Sequence, residues 1–281
     1  MTIIMPTDLR DPVVVAAFEG WNDAGEAASR ALDHLAELCD AQPVGEVDPE
    51  EFYDFQVNRP LISVEEAGVR GIEWRTTRVL VGSLDDDGPD IVLIRGIEPN
   101  IRWRTFTEHR VQICHAVSAR RVVLLGALLA DTPHRRSLPV TGVSSSPDLA
   151  AGLRLDPASY TGPTGIVGVL AAGLEDAGLP VVSYWASVPY YVGQPPSPKA
   201  TVALLRCVED ALDRALDLGD LPEEADAWER AVDEMVSDDE ELASIVTALE
   251  EQADSARLES ASGDTIAAEF ERYLRRRDPE S

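Results

Sequence analysis

The stretch Val13-Val14-Val15-Ala16-Ala17-Phe18-Glu19-Gly20-Trp21-Asn22-Asp23-Ala24-Gly25 decides the fold class of this chain. Its first six residues form a short apolar run rich in β-branched side chains, which is typical of a strand buried on both faces. Apolar residues at helical spacing then follow from Ala24 to Leu38. Asn22 or Asp23 is placed to cap that helix, with Glu26 completing a capping box. The chain therefore opens with a strand, a tight loop and a helix.

The same alternation continues through the middle of the chain. We expect further strands over residues 72–81, 91–95, 122–129 and 181–188, and further helices over residues 103–120, 164–177 and 200–218. Strands that alternate with helices predict a mostly parallel sheet covered by helices on both faces. The predicted fold class is therefore α/β, with a three-layer α/β/α core domain over residues 1–220.

The last part of the chain, residues 221–281, has a different composition. From Glu209 onwards, 24 acidic residues stand against seven arginines and no lysine. Apolar residues between Trp228 and Leu249 nevertheless keep a helical spacing, and a further helix is expected over residues 266–274. We interpret residues 221–281 as an acidic helical appendage that packs on the core or on a neighbouring subunit.

Composition and charge exclude several classes of partner and location. A net charge of −27 argues against binding to nucleic acid or to an anionic membrane surface. We see no signal-peptide pattern and no apolar run of about 18 residues, so we expect a cytoplasmic protein without a membrane span. The three cysteines are far apart and the four histidines lack ligand spacing. We therefore expect no disulfide framework, no metal site and no cofactor.

Polar residues gather where the predicted strands end, which is where open α/β sheets bind ligands. Glu19, Trp21, Asn22 and Asp23 follow the first strand without the glycine spacing of a phosphate-binding loop. A capped turn with Trp21 as its hydrophobic anchor explains the same residues equally well. Both interpretations stay open on the sequence alone.

Three further groups extend this candidate pocket. Glu98, Arg102 and Arg104 follow a second strand and suit an anionic ligand, although an internal ion pair is the favoured explanation. Thr132 and His134 follow a third strand, and a histidine there suits a general base. No serine or cysteine in a nucleophile-elbow context accompanies it, so no catalytic residue is assigned. Lys199 follows a Pro-rich aromatic loop after the last strand and completes the set.

Taken together, these segments resemble the bacterial, particularly actinobacterial, branch of the proteasome assembly chaperone 2 family. The resemblance is carried by residues 18–25, 96–99, 102–104, 126–134, 162–166, 188–192 and 197–201. It implies an α/β/α core related to phosphorylase/hydrolase-like folds, and self-association with a trimer favoured. Eukaryotic and archaeal relatives assist assembly of the proteasome core particle. Relatives that dock on proteasome rings end in a hydrophobic-Tyr-any tripeptide, whereas this sequence ends Asp278-Pro279-Glu280-Ser281, so docking through that tripeptide is not expected.

Three functions are consistent with these features. The first is a protein-binding or assembly factor, as the resemblance implies. The second is an enzyme or small-molecule binder, hydrolase-like or ligase-like, with its pocket at the strand ends; no Gly-rich ATP loop or Mg²⁺-binding carboxylate pair supports a ligase. The third is an oligomeric scaffold whose tail helices contact a neighbouring subunit.

Overall fold

The computed structural model describes residues 2–3, 5–64, 70–85, 87–155, 160–192 and 194–260. The described strands are β1 (Thr2–Ile3), β2 (Val13–Glu19), β3 (Gln42–Glu46), β4 (Leu61–Val64), β5 (Arg70–Glu73), β6 (Arg78–Ser83), β7 (Asp90–Ile97), β8 (Arg121–Ala130), β9 (Val140–Val143) and β10 (Val181–Pro189). The described helices are α1 (Ala27–Leu38), α2 (Trp103–Ala116), α3 (Pro147–Leu153), α4 (Ile166–Asp176), α5 (Pro198–Leu212), α6 (Leu221–Ser237) and α7 (Glu240–Ser260). The helix expected over residues 266–274 lies outside the described residues.

Eight of these strands form one mixed sheet in the order β1-β3-β6-β7-β2-β8-β10-β9. The four central strands β7, β2, β8 and β10 run parallel, and the strands outside them pair antiparallel. The parallel register places Val13 opposite Ile91 and Val122 opposite Val181. The central strands are apolar and buried on both faces, as the run from Val13 to Phe18 predicts.

Helices cover both faces of this sheet. On one face α1 and α5 bury side chains such as Leu32 and Leu204 against the strands, and on the other face α2 and α4 bury Phe106 and Leu170. Phe18 meets the ring of Phe106 edge-on at 5.7 Å. The predicted α/β fold with a three-layer α/β/α core is confirmed.

The predicted capping box at the first helix is wrong. A short 3₁₀ turn over Ala24–Glu26 precedes α1, and Glu26 has a left-handed backbone with φ of 52°. Asp23 still caps the helix, because its Oδ1 accepts from the backbone N–H groups of Ala28 at 2.7 Å and Ser29 at 3.3 Å. The capping carboxylate thus acts across the extra turn.

The single strand predicted over residues 72–81 is also wrong, since it divides into β5 and β6. β5 pairs with β4 in a separate two-stranded sheet, whereas β6 joins the large sheet. Residues 74–77 separate them: the Thr76 hydroxyl donates to the carbonyl of Val47 at 2.7 Å, and the carbonyl of Thr77 accepts from the Val47 N–H. Helices α2 and α5 also end earlier than expected, α5 because Asp213 adopts a left-handed backbone.

The acidic helices α6 and α7 pack on the core. Val232, Val236 and Val246 form a small apolar cluster with Tyr191 and Val192, which follow β10. Over the described ranges, none of the helices combines the length and the apolar character that a bilayer crossing requires.

Candidate functional site at the carboxyl edge of the sheet

The loop that follows β2 is fixed to the neighbouring strand ends by buried hydrogen bonds. Asn22 is fully buried, and its Nδ2 donates to Oε1 of Glu98 at 2.7 Å. The same Glu98 oxygen accepts from the backbone N–H of Ile166 at 2.8 Å, at the first residue of α4. On the other side, the Asn22 carbonyl accepts from the N–H of Ala127 in β8 at 2.8 Å. One loop residue therefore connects the ends of three strands and one helix.

Asp23 and Gly25 fix the second half of this loop. Burial is the main cause that raises the pKa of Asp23 above its ordinary value, opposed by hydrogen bonds from Ser29 and Ala28. Gly25 has φ of 62°, and a Cβ added there would lie 2.6 Å from Cβ of Ser197. Its carbonyl accepts from the Ser197 N–H at 2.8 Å, just before α5. A side chain at position 25 is therefore excluded both by backbone conformation and by space.

Glu19, at the end of β2, lies in an ion-pair network beside a cleft. Its carboxylate accepts from the guanidinium groups of Arg75 and Arg95, and Arg95 also forms a two-pronged pair with Asp33 at 2.9 and 3.0 Å. These carboxylates raise the pKa of Arg95, although burial opposes them. The cleft has a volume of about 340 Å³, and its lining includes these charged groups, Trp74 and the apolar residues Leu80, Leu93 and Ile97.

His134 is fully buried and its protonation state follows from its neighbours. The Tyr191 hydroxyl accepts a hydrogen bond from the His134 backbone N–H at 2.8 Å. The hydroxyl can therefore donate its own hydrogen to Nδ1 of His134, also at 2.8 Å. Nε2 then carries the ring proton and donates to Asp233 at 3.0 Å. Burial is the main cause that lowers the pKa of His134, which agrees with a neutral ring. Both ring nitrogens are thus engaged with protein groups.

The loop after β8 holds the acidic helices through charged contacts. Arg135 pairs with Asp233 in α6 at 2.5 Å, and Arg136 pairs with Glu250 and Asp254 in α7 at 3.0 and 2.8 Å. Lys199 donates to the carbonyl of His134 and to the carboxylate of Glu229 in α6. Four basic or imidazole side chains of the core therefore meet four carboxylates of α6 and α7.

The contacts divide the sequence-predicted residues into groups. Asn22 and Glu98 meet in one network, and His134 and Lys199 meet in another beside the buried Thr132, whereas Glu19 faces the cleft. Trp21, Arg102 and Arg104 are exposed, and the Arg102 guanidinium lies 5.6 Å from the ring centre of Phe52. Sequence reasoning missed the residues that complete these groups, which are Arg75, Arg95, Tyr191, Ser197 and Asp233.

Two observations bear on ligands. Asn22 Oδ1, Asp23 Oδ2 and Ser197 Oγ are buried and have no hydrogen-bond partner among the described residues. Over the same residues, no group of three or more His, Cys, Asp or Glu side chains is arranged to hold a metal ion.

Large apolar side chains are exposed where each of the four parallel strands ends. In the order of the strands these are Ile101 after β7, Trp21 after β2, Leu129 at the end of β8 and Tyr190 after β10. Trp21 and Leu129 are 61% and 60% exposed. Neighbouring strands lie about 4.8 Å apart, so the ends of four strands span about 15 Å. We call these four residues the carboxyl-edge surface.

Comparison with known proteins agrees with this architecture. The chain matches the model of the PAC2 family over residues 17–236. A PAC2 family protein from Streptomyces avermitilis is 51% identical, with a TM-score of 0.79 over 84% of this chain and 100% of that chain. A proteasome-assembly chaperone homologue from Mycobacterium tuberculosis is 49% identical, with a TM-score of 0.77 over 83% and 99%.

A more distant structure shares the fold alone. The archaeal proteasome activator PbaB from Pyrococcus furiosus is 16% identical, with a TM-score of 0.65 over 84% of this chain and 97% of that chain. No curated protein is similar enough to match.

Proposed function

This chain belongs to the PAC2 family, and from that premise we propose that it is a cytoplasmic assembly factor that binds a protein partner. The carboxyl-edge surface receives the partner, and the protein acts as a homo-oligomer, with a trimer as the favoured form. Asn22, Asp23 and Glu98 serve this surface, because they fix the loop that carries Trp21. His134 and Lys199 belong to the attachment of α6 instead.

The observation that carries this proposal is the exposed apolar residue at the end of every parallel strand. Aromatic residues in the centre of an interface contribute much of its binding energy, and arginine is enriched there too. Trp21 and Tyr190 supply the aromatic groups, and the exposed Arg102 and Arg104 lie within three residues of Ile101 along the chain. The surface therefore suits an apolar segment that carries carboxylates.

A proteasome core subunit is the partner we propose. The relative from Mycobacterium tuberculosis, at 49% identity, is described as a proteasome-assembly chaperone homologue. The proposal places recognition of this partner on the carboxyl-edge surface.

The test measures binding to purified proteasome α and β subunits of the source organism by biolayer interferometry. Trp21→Ala and Leu129→Glu should each weaken binding at least tenfold, since truncating a central interface residue costs about 2 kcal/mol or more. Leu258→Glu, at a still more exposed position on α7, is the control and should leave the affinity unchanged. Absence of binding to either subunit by the unaltered protein would reject the proteasome as partner. Equal effects of all three substitutions would reject the surface.

The cleft beside Glu19 favours a second candidate function, a small-molecule binder or enzyme. Its lining combines apolar side chains with charged groups that converge on one concave site, as ligand sites do. The guanidinium groups of Arg75 and Arg95 are already neutralised by Glu19 and Asp33, which favours a neutral or zwitterionic ligand over a simple anion. Thermal-shift screening of metabolites against the unaltered protein and Leu80→Trp, which places a larger side chain at a partly buried position lining the cleft, would test this candidate. Stabilisation that persists in Leu80→Trp would place the ligand elsewhere.

A further inference from the structure

The two-stranded sheet of β4 and β5, which we call the arm, exposes an apolar face. Ile62 lies directly opposite Ile72 in the register, so the side chains of Ile62, Val64 and Ile72 share that face. These three side chains are each 59–70% exposed. Among the described residues, β4 and β5 pair only with each other. An isolated pair of strands is at best marginally stable in water, and an exposed apolar face of this kind marks an interaction site.

The arm starts from the carboxyl edge of the large sheet. Arg78, the first residue of β6, lies opposite Arg95 near the carboxyl end of β7. Residues 74–77 therefore join the arm to the sheet at this edge. The guanidinium group of Arg75 donates to the carboxylate of Glu19, the last residue of β2. The arm and the carboxyl-edge surface thus begin at the same edge of the sheet.

The segment that leads into β4 is fastened to the loop that carries Ile101. Oδ1 of Asn100 accepts from the backbone N–H of Asp54 and from Nδ2 of Asn58, both at 2.8 Å. Val57 directly precedes Asn58 and is 69% exposed, and Ile101 directly follows Asn100. Exposed apolar side chains therefore continue from the carboxyl-edge surface through Ile101 and Val57 towards the arm.

The apolar area also indicates that an interface at this edge extends towards the arm. A stable interface buries about 800 Å² on each partner. Large side chains have areas of about 150–250 Å², so the four residues of the carboxyl-edge surface, at 43–61% exposure, offer roughly half of this area. Beyond Tyr190, the next residues Tyr191 and Val192 already pack against α6 and α7. The exposed apolar groups that extend the surface lie at its other end, at Val57 and on the arm.

We propose that the protein partner bound at the carboxyl-edge surface also covers the apolar face of the arm. The occupant is an apolar segment of that same partner, because exposed apolar side chains are continuous from one surface to the other. This inference rests on the proposed function and names the second part of its binding surface. Covering this face stabilises a pair of strands that has little stability of its own, so the arm opens less often when the partner is bound.

The test measures the affinity for purified proteasome α and β subunits by biolayer interferometry. The double substitution I62D/I72D puts two carboxylates on the apolar face and should weaken binding at least tenfold. Ser63→Asp, exposed in the same strand with its side chain on the opposite face, is the matched control and should leave the affinity unchanged. Val64→Asp, on the apolar face, should weaken binding as well.

Hydrogen exchange gives a second measurement, since the backbone N–H groups of residues 61–64 and 70–73 should exchange more slowly in the complex. Unchanged exchange, or a wild-type affinity of I62D/I72D, overturns the contact with the arm. The proposed function stands in that case if Trp21→Ala still weakens binding. Absence of binding by the wild-type protein overturns both.

Light scattering and circular dichroism distinguish the remaining explanations. A lower molar mass of I62D/I72D at unchanged affinity for the subunits would place the arm between copies of this chain and overturn the proposal. The circular dichroism of I62D/I72D should match that of the wild type, because both positions lie outside the eight-stranded sheet. Unfolding would instead place Ile62 and Ile72 in the core of the subunit and overturn their role in docking.

Discussion

Replacement of Glu98 by alanine tests whether the loop after β2 depends on this one carboxylate. The Glu98 oxygen accepts from Asn22 Nδ2 at 2.7 Å and from the Ile166 N–H at 2.8 Å, and Asn22 is fully buried. In Glu98→Ala both donors lose their acceptor. A hydrogen bond to a charged group contributes about 1.5–3 kcal/mol, so two such bonds give a loss of about 3–6 kcal/mol. Native proteins of this kind have a free energy of unfolding of about 5–15 kcal/mol, so the loss is large.

Glu98→Gln distinguishes the effect of the negative charge from the effect of the acceptor oxygen, because it removes the charge and keeps an oxygen. The glutamine oxygen is able to accept from both donors, but the bonds are neutral and about half as strong. We therefore expect Glu98→Gln to lose about half as much free energy of unfolding as Glu98→Ala. Glu108→Ala, at an exposed position on α2, is the control and should change the free energy by less than about 0.5 kcal/mol.

Urea titration followed by circular dichroism measures all three variants. The expected result is a lower urea midpoint at an unchanged slope, in the order wild type, Glu98→Gln, Glu98→Ala. A loss below about 1 kcal/mol for Glu98→Ala would show that the loop does not depend on this acceptor. Equal losses for the two Glu98 variants would refute the role of the charge.

Three further predictions concern burial and the attachment of the acidic helices. Burial lowers the pKa of His134, so as the pH falls its imidazole is protonated in the unfolded chain before it is protonated in the folded one, and the free energy of unfolding should decrease below about pH 6.5. Urea titrations from pH 5 to 7.5 should show a shallower decrease in His134→Gln, and an equal decrease would contradict a buried neutral His134. Asp233→Asn removes the charged acceptor of His134 and Arg135, so limited proteolysis should cleave residues 221–260 faster while the sheet stays intact. Asp238→Asn, at an exposed position, is the control and should be cleaved at the wild-type rate. Burial raises the pKa of Cys39 to about 11 and that of Cys114 to about 12, so neither thiol should react with a maleimide at pH 7 until urea is added, as mass spectrometry of labelled peptides would show.

The architecture of the sheet could be predicted because its signals are local. The run from Val13 to Phe18 is apolar on both faces, and only a strand covered on both sides buries such a run. The break at residues 74–77 has no comparable signal, since Trp74, Arg75, Thr76 and Thr77 are all compatible with a continuous strand. The strand ends because of Val47, which lies 29 residues away from Thr76 along the chain. The carbonyl of Val47 accepts a hydrogen bond from the Thr76 hydroxyl.

The roles of the charged residues were less predictable, because their partners also lie far away along the chain. The pattern predicts His134 near a strand end, but its partner Asp233 lies 99 residues away. Asp233 belongs to a helix with many acidic residues, and nothing in the sequence distinguishes it from the others. Glu98 and Asn22 were both selected as candidates, yet their direct hydrogen bond spans 76 residues and depends on the order of β7 and β2 in the sheet. Pairings of this kind follow from topology and are not visible in spacing.

The anchoring of the loop after β2 has a consequence for the energetics of recognition. The loop is tied to Glu98 through the Asn22 side chain and to Ala127 and Ser197 through its backbone carbonyls, and no side chain fits at Gly25. The indole of Trp21 therefore projects from a stiff base, and only its own two side-chain torsions remain to be ordered by a partner. Restricting a flexible loop costs affinity in many complexes, whereas here that entropy is already lost when the chain folds. Variants that loosen the anchors without touching Trp21 should accordingly bind with an unchanged contact surface but a more unfavourable entropy.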